Sequence, residues 1–162
     1  MTSVSATYTA GALTAALASE SWGKDSADGD RNGTRLAVSY GLTLTVRLAG
    51  FYQSTRATIS GADEGSKVAG LGLEYQLVPG AWALRSQVFT RDANKANNDS
   101  KLLALGVDRY FGKDLRLFAN YARVSNDSGA KLTPWKEGRS TDQTGISGQA
   151  ATAFTVGMRY DF

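Results

Sequence analysis

The chain has 162 residues, 42% of them hydrophobic, with 18 glycines, 2 prolines, 7 tyrosines and a formal charge of +3. That supports one domain over residues 1–162, and the residue balance suits many short strands better than helices or disorder. With neither cysteine nor histidine present, disulfides, thiolate metal sites and the commonest general base are excluded, so no cofactor and no enzyme chemistry is expected.

Lys and Arg are spread along the chain in no basic run, which argues against nucleic acid as a partner despite a pI near 9.2. No stretch approaches the ~18 consecutive apolar residues of a membrane helix, so a closed barrel is the only spanning structure open to it. Met1 is followed by Thr2 and Ser3 with no basic and apolar leader regions. No signal peptide is read, and an exported chain without one is expected to be a mature or truncated form.

In chain order, Val4, Ala6 and Tyr8, then Leu13, Ala15 and Leu17, mark two strands of small residues. Leu36, Val38 and Tyr40 alternate with Arg35, Ala37 and Ser39, and Leu44, Val46 and Leu48 with Thr45, Arg47 and Ala49. Ala69, Leu71, Leu73, Tyr75 and Leu77 stand against Val68, Gly70, Gly72, Glu74 and Gln76. Trp82, Leu84 and Val88 oppose Arg85 and Gln87, while Leu103, Leu105, Val107 and Phe111 share a face with Arg109, which must reach a membrane edge. Leu115, Leu117 and Tyr121 oppose Arg116 and Asn120. The last segment gives the clearest pattern: Thr152, Phe154, Val156, Met158, Tyr160 and Phe162 alternate with Ala153, Thr155, Gly157, Arg159 and Asp161.

Period two marks half-buried strands, and about nine are expected, near 3–10, 12–20, 34–41, 43–54, 67–77, 81–90, 101–111, 115–124 and 150–162. Tight turns at Ala10-Gly11, Gly41-Leu42, Pro79-Gly80 and Gly112-Lys113 alternate with longer polar connections, Ser21–Gly33, Thr55–Ser66, Asp92–Ser100 and Ser125–Gln149. This asymmetry is that of an antiparallel transmembrane β-barrel, short turns at one end and long loops at the other. Ten tilted residues rise roughly 23 Å, close to the apolar band of such barrels. Tyr40, Tyr75, Trp82, Phe111, Tyr160 and Phe162 fall near the short-turn end on the apolar face, as an interfacial aromatic girdle. A soluble all-β sandwich would also alternate, but would bury the apolar face and leave the girdle unexplained.

The chain resembles the Gram-negative general diffusion porins, trimeric and sixteen-stranded, of β-proteobacterial type. The likeness is carried by the opening hairpin Ser5–Gly11, the hairpin Gly106–Tyr121 and the closing run Val156–Phe162. It implies the C-terminal portion of such a barrel, in the outer membrane, as a homotrimer surrounded by outer-membrane lipids. It also implies that Phe162, ending the last strand, is read by the outer-membrane insertion machinery. Nine strands ending in the periplasm start the first on the extracellular side, so upstream strands are expected. The family's constriction loop is expected in that upstream part.

Arg35, Arg47, Arg85, Arg116 and Arg159, with Glu74, are the candidate pore-lining residues, because fixed charge on a wall sets ion preference. The plainer alternative is that the arginines pair with Glu20, Glu74 and Asp108 across strands. Asp25, Asp28 and Asp30 with Gly29 lack the spacing and closing Glu of a calcium loop and read as polar loop, as do Asp63, Glu64 and Lys67. Gly70-Leu71-Gly72 lies inside a strand and is expected to admit a close neighbour. Small outward residues, Ala6, Ala10, Ala15 and Gly50, suit subunit contacts. The residues point to passive diffusion of small hydrophilic solutes and ions. The rivals are a small closed barrel with a structural or adhesive role and no conducting pore, and a fragment that cannot close.

Overall fold

In the computed structural model, which describes residues 1–23, 30–59, 61–135 and 144–162, the alternating segments form one antiparallel sheet. Its strands are β1 (Thr2–Ala10), β2 (Leu13–Trp22), β3 (Asp30–Gly41), β4 (Val46–Ile59), β5 (Ala62–Asp63), β6 (Ser66–Val78), β7 (Trp82–Ala93), β8 (Ser100–Phe111), β9 (Leu115–Asn126) and β10 (Ala151–Tyr160). The order is β1-β2-β3-β4-β6-β7-β8-β9-β10, with the two-residue β5 paired to β4 alone. Each long strand therefore neighbours those before and after it, the meander that tight turns and long loops dictate. β1 and β10 are not paired with one another, so the sheet is open along both edges.

Nine long strands stand where period two places them. Four strand ends differ by three residues or more, among them the end of β7, which runs to Ala93 and not to residue 90. β3 begins at Asp30 and β4 runs to Ile59, so the connections on either side are shorter than the polar stretches in the sequence. Beyond the apolar band the outer face is itself polar, with Asp30, Asn32, Arg56 and Thr58, so the alternation disappears while the backbone ladder continues. Leu44 is not in a strand: β4 starts at Val46, and Leu44 is fully exposed at the tip of a turn. Thr43 causes this, because its Oγ1 accepts hydrogen bonds from the N–H of Thr45 (3.2 Å) and Val46 (3.0 Å) and bends the chain locally. In the β4–β6 connection the Asp63 carboxylate accepts from Gly65 N (2.9 Å) and Asn94 Nδ2. The backbone N–H of Gly65 and the Asn94 amide hold that carboxyl below its usual range.

Burial runs opposite to that of a water-soluble sheet. Along β6 the residues alternate half-buried and exposed, and from Ala69 onward the exposed ones are apolar: Leu71 is 68% exposed and Phe154, on β10, 71%. Glu74 and Gln76 are the shielded ones. Among the described residues only Ala57, Ala83, Val124 and Ala130 form a buried apolar set, and no large side chain is fully buried. A sandwich core of that size could not offset chain entropy in water, whereas in lipid the apolar face needs no core. The polar face, crowded as on the concave side of a curved sheet, is termed inner and the apolar face outer.

One packing unit keeps the inner face regular at mid-height. Phe51 and Phe89 meet edge to face with ring centroids 5.8 Å apart, and the Phe89 ring occupies the space a Gly70 side chain would need. Gly70 thus admits a neighbouring ring, not the neighbouring loop or strand backbone that its setting suggests. Gly157 does the same for Phe118. Gly70→Ala should lower stability by roughly 1–3 kcal/mol through overpacking. In a Phe89→Ala background the same change should cost little, because the clash is gone. Urea titration of the folded protein, followed by heat-resistant gel mobility, measures both.

Candidate functional site

All six sequence-predicted wall residues lie on the inner face, because residues paired across an antiparallel ladder share a face. Arg47, Glu74 and Arg85 form one cross-strand row on β4, β6 and β7. Arg116 on β9 and Arg159 on β10 pair in another row nearer the short turns. Arg35 stands apart, toward the long-loop end of β3, opposite Gln53.

Asp108 joins the two lower rows. Its carboxylate contacts Arg85 Nη2 and lies 3.8 Å from Arg116 Nε, while Glu74 lies 3.6 Å from Arg85 Nε. Asp108 is only 3% exposed, held between the small Ala83 on one side and Phe118 on the other. Arg85 Nη2 also donates to the Tyr110 hydroxyl (3.2 Å), and the Arg116 guanidinium lies 5.6 Å from the Phe118 ring centre. The Nε atoms of Arg85 and Arg116 are close enough to the acids for Coulombic attraction but too far for hydrogen bonds, and both are without hydrogen-bond partners. Arg47 makes only a 3.5 Å contact to Ser39 Oγ, and Arg159 pairs with Asp161 at 2.8 Å. The plainer expectation, that arginines pair across strands with Glu20, Glu74 and Asp108, is thus met for Arg35, Arg85 and Arg116. The pairs themselves lie on the inner face, so pairing and an inward position coexist.

Nearer the long loops a second polar cluster surrounds a hollow of about 300 Å³. Arg35 bonds Glu20 (2.8 Å) and Gln53 (2.9 Å), Arg31 lies over the Trp22 ring at 5.2 Å, and Arg91 donates to the Asn98 carbonyl at 2.8 Å. Trp22 Nε1 and Arg31 Nε have no hydrogen-bond partner among the described residues. Sequence reasoning missed Arg31, Arg91 and Trp22. Counting by twos from Arg35 and from Arg85 reaches the two arginines, but both lie past the expected strand ends. The described part of the β9–β10 connection also reaches this wall. Asn126 Nδ2 donates to the carbonyls of Leu132 and Gln149 (2.9 Å each), and Pro134 shares a hollow with Arg85, Gly106 and Asn120.

The girdle residues Tyr40, Tyr75, Trp82, Phe111 and Tyr160 all sit on the outer face at the short-turn end, each at least 40% exposed. Phe162 follows β10 and is fully exposed. Arg109, the one cation expected on this face at that end, has its guanidinium 5.0 Å from the ring centres of both Trp82 and Phe111. Stacking on aromatics lets a cation sit at a membrane edge. Asp25, Asp28 and Gly29 lie outside the described residues, among which no cluster of acids suits a metal ion.

Removing the Asp108 charge leaves two guanidiniums facing a neutral group, so Asp108→Asn should lower stability by roughly 1–3 kcal/mol. Asp161→Asn, whose pair is exposed, should cost under about 1 kcal/mol. Parallel urea titrations compare the two.

The family profile of the Gram-negative porins matches residues 1–129. No curated protein matches the chain. Among solved structures, an anion-selective porin from Comamonas acidovorans superposes with a TM-score of 0.81 at 23% identity, covering 98% of this chain and 48% of that one. OmpT, an outer membrane protein of Vibrio cholerae, superposes with TM-scores of 0.64 and, in its trimer form, 0.62, both at 16% identity over 98% of this chain and 54% of that one. The chain spans about half the length of these structures, and at such identities the likeness is one of fold.

Proposed function

Because the chain belongs to the Gram-negative porin family, proteins of the outer membrane, we propose that it forms part of the wall of a water-filled barrel passing small hydrophilic solutes and ions by diffusion. One observation carries this reading: β3, β4, β7, β9 and β10 each carry at least one arginine on the inner face, while the large apolar residues of the long strands stand exposed on the outer one. An apolar outer face holds a barrel in lipid, and an inner face of fixed charge selects what enters.

In this reading Arg35, Arg47, Glu74, Arg85, Arg116 and Arg159 line the pore, and Tyr40, Tyr75, Trp82, Phe111, Tyr160 and Phe162 form the girdle at the periplasmic interface. Outer-membrane lipids surround the outer face, Phe162 serves recognition by the insertion machinery, and the protein assembles as a homotrimer, as the trimer form of OmpT does. Selectivity for anions follows from the same wall. Among the described residues inner arginines outnumber inner acids, and Arg47, with no acid in ion-pair contact there, presents its charge to the lumen. The similar porin from Comamonas acidovorans is anion-selective. The closed structural barrel has less support: β1 and β10 are not paired and run in the same direction, so closing them on each other would make a parallel seam.

The test is planar-bilayer recording of the folded protein carrying this chain, under a salt gradient. Large, stable conductance steps with a reversal potential on the anion side are expected, and Arg47→Gln should move that potential toward cations without abolishing the steps. Folded, heat-resistant protein that conducts nothing would favour the structural barrel and sink the transport reading.

A further inference from the structure

On β3 to β7 the inner face has a band without charge at mid-height. Ser39, Ala49 and Gly72 form one cross-strand row, and Ala37, Phe51, Gly70 and Phe89 form the next toward the long loops. Charged rows flank the band, with Arg47, Glu74 and Arg85 on the side of the short turns and Arg35 and Arg91 on the other. The small side chains of Ala37 and Ala49 and the bare backbone of Gly72 leave a hollow of about 250 Å³, walled by the Phe51 and Phe89 rings and almost wholly apolar.

Arg47 stands at the edge of this hollow. By register it faces Glu74, but Glu74 lies 3.6 Å from Arg85 Nε, and the Arg47 guanidinium reaches the other way. Its Nη1 is 3.5 Å from Oγ of Ser39, a residue that itself lines the hollow. Among the described residues Arg47 has no acid in ion-pair contact, whereas Arg35, Arg85, Arg116 and Arg159 each have one. An apolar surface with a few polar groups at its edge is what small-molecule sites present, the first for contact and the second for orientation.

We propose that this hollow is a subsite for small aromatic carboxylates, with the carboxylate on Arg47 and Ser39 and the ring between Phe51 and the floor at Ala49 and Gly72. The guanidinium fork matches a carboxylate in two parallel hydrogen bonds, and contact between rings adds to what burial of an apolar body alone contributes. Charge complementarity decides the occupant. A neutral aromatic leaves Arg47 without a counter-ion, and a short-chain carboxylate leaves the hollow unfilled. The proposal deepens the porin reading and rests on it, because that reading puts water and solutes on this face.

The experiment uses the folded protein carrying this chain in neutral detergent, with benzoate, benzamide, cyclohexanecarboxylate and acetate as probes in saturation-transfer NMR, and planar-bilayer recording in chloride alongside. Saturable binding of benzoate is expected, tighter than that of cyclohexanecarboxylate and roughly tenfold or more tighter than that of benzamide or acetate. Arg47→Gln should weaken benzoate to the level of benzamide, and Arg47→Lys should keep part of the binding, since it retains the charge without the fork. Ala49→Leu and Ala37→Leu, each of which fills the hollow, should weaken benzoate with Arg47 intact. Heat-resistant gel mobility shows which variants are folded. Benzamide or cyclohexanecarboxylate binding as tightly as benzoate, or benzoate binding unchanged in Arg47→Gln or in the folded leucine variants, would overturn the proposal. So would the absence of benzoate binding, the result if another segment of the protein covers the hollow. If the parent conducts but fails these tests, the subsite fails alone; if the parent does not conduct, the porin reading fails.

Discussion

The structure depends on one constraint: in a bilayer no water is available to backbone N–H and C=O groups, so each strand must be hydrogen-bonded to a neighbour on both sides. The antiparallel meander meets this along seven of its nine long strands, β2, β3, β4, β6, β7, β8 and β9, and leaves the outward edges of β1 and β10 unmet. Once the ladder is fixed, the side chains have no further freedom of direction, because they alternate strictly between two faces. One face must then suit hydrocarbon and the other must suit whatever lies inside. The absence of an apolar core is therefore a consequence of the solvent and not a weakness of the fold.

Polar groups brought to the inner face have to be accommodated at close quarters. Asp108 shows how. It is buried beside the small Ala83, and burial of a carboxylate is tolerable only with cations at hand, which Arg85 and Arg116 supply from the two adjacent strands. Phe51 and Phe89 fill the inner face where charge is lacking, Phe118 packs beside Asp108 and Arg116, and glycine on the neighbouring strand gives Phe89 and Phe118 room. On the outer face the opposite problem arises, and Arg109 is accommodated by stacking on Trp82 and Phe111.

Much of this was legible in the chain because period two is a local signal. It placed nine long strands, assigned the six wall residues to one face and put Arg109 at a membrane edge. Strand ends were less legible, since Asp30, Asn32, Arg56 and Thr58 make the outer face polar there and the alternation ends before the ladder does. Leu44 misled because an apolar residue at the right spacing can sit in a turn that Thr43 shapes through its own hydroxyl. Which arginine meets which acid depends on register between strands. A one-residue shift in the register of β7 against β8 would have moved Arg85 away from Asp108, and no pattern within a strand records that. Glycine at positions 70 and 157 could be seen as permissive, but not which ring takes up the space.

Because the chain contains no cysteine, single cysteines can be introduced one at a time against a silent background. The central claim is that water lies on the arginine face and lipid on the other. Labelling by a membrane-impermeant, charged thiol reagent at successive positions of β6, from residue 68 to residue 75, in protein inserted in liposomes measures this directly. The account predicts rapid labelling at Val68, Gly70, Gly72 and Glu74 and slow labelling at Ala69, Leu71, Leu73 and Tyr75. Labelling that ignores the alternation, or that favours the apolar positions, would contradict it.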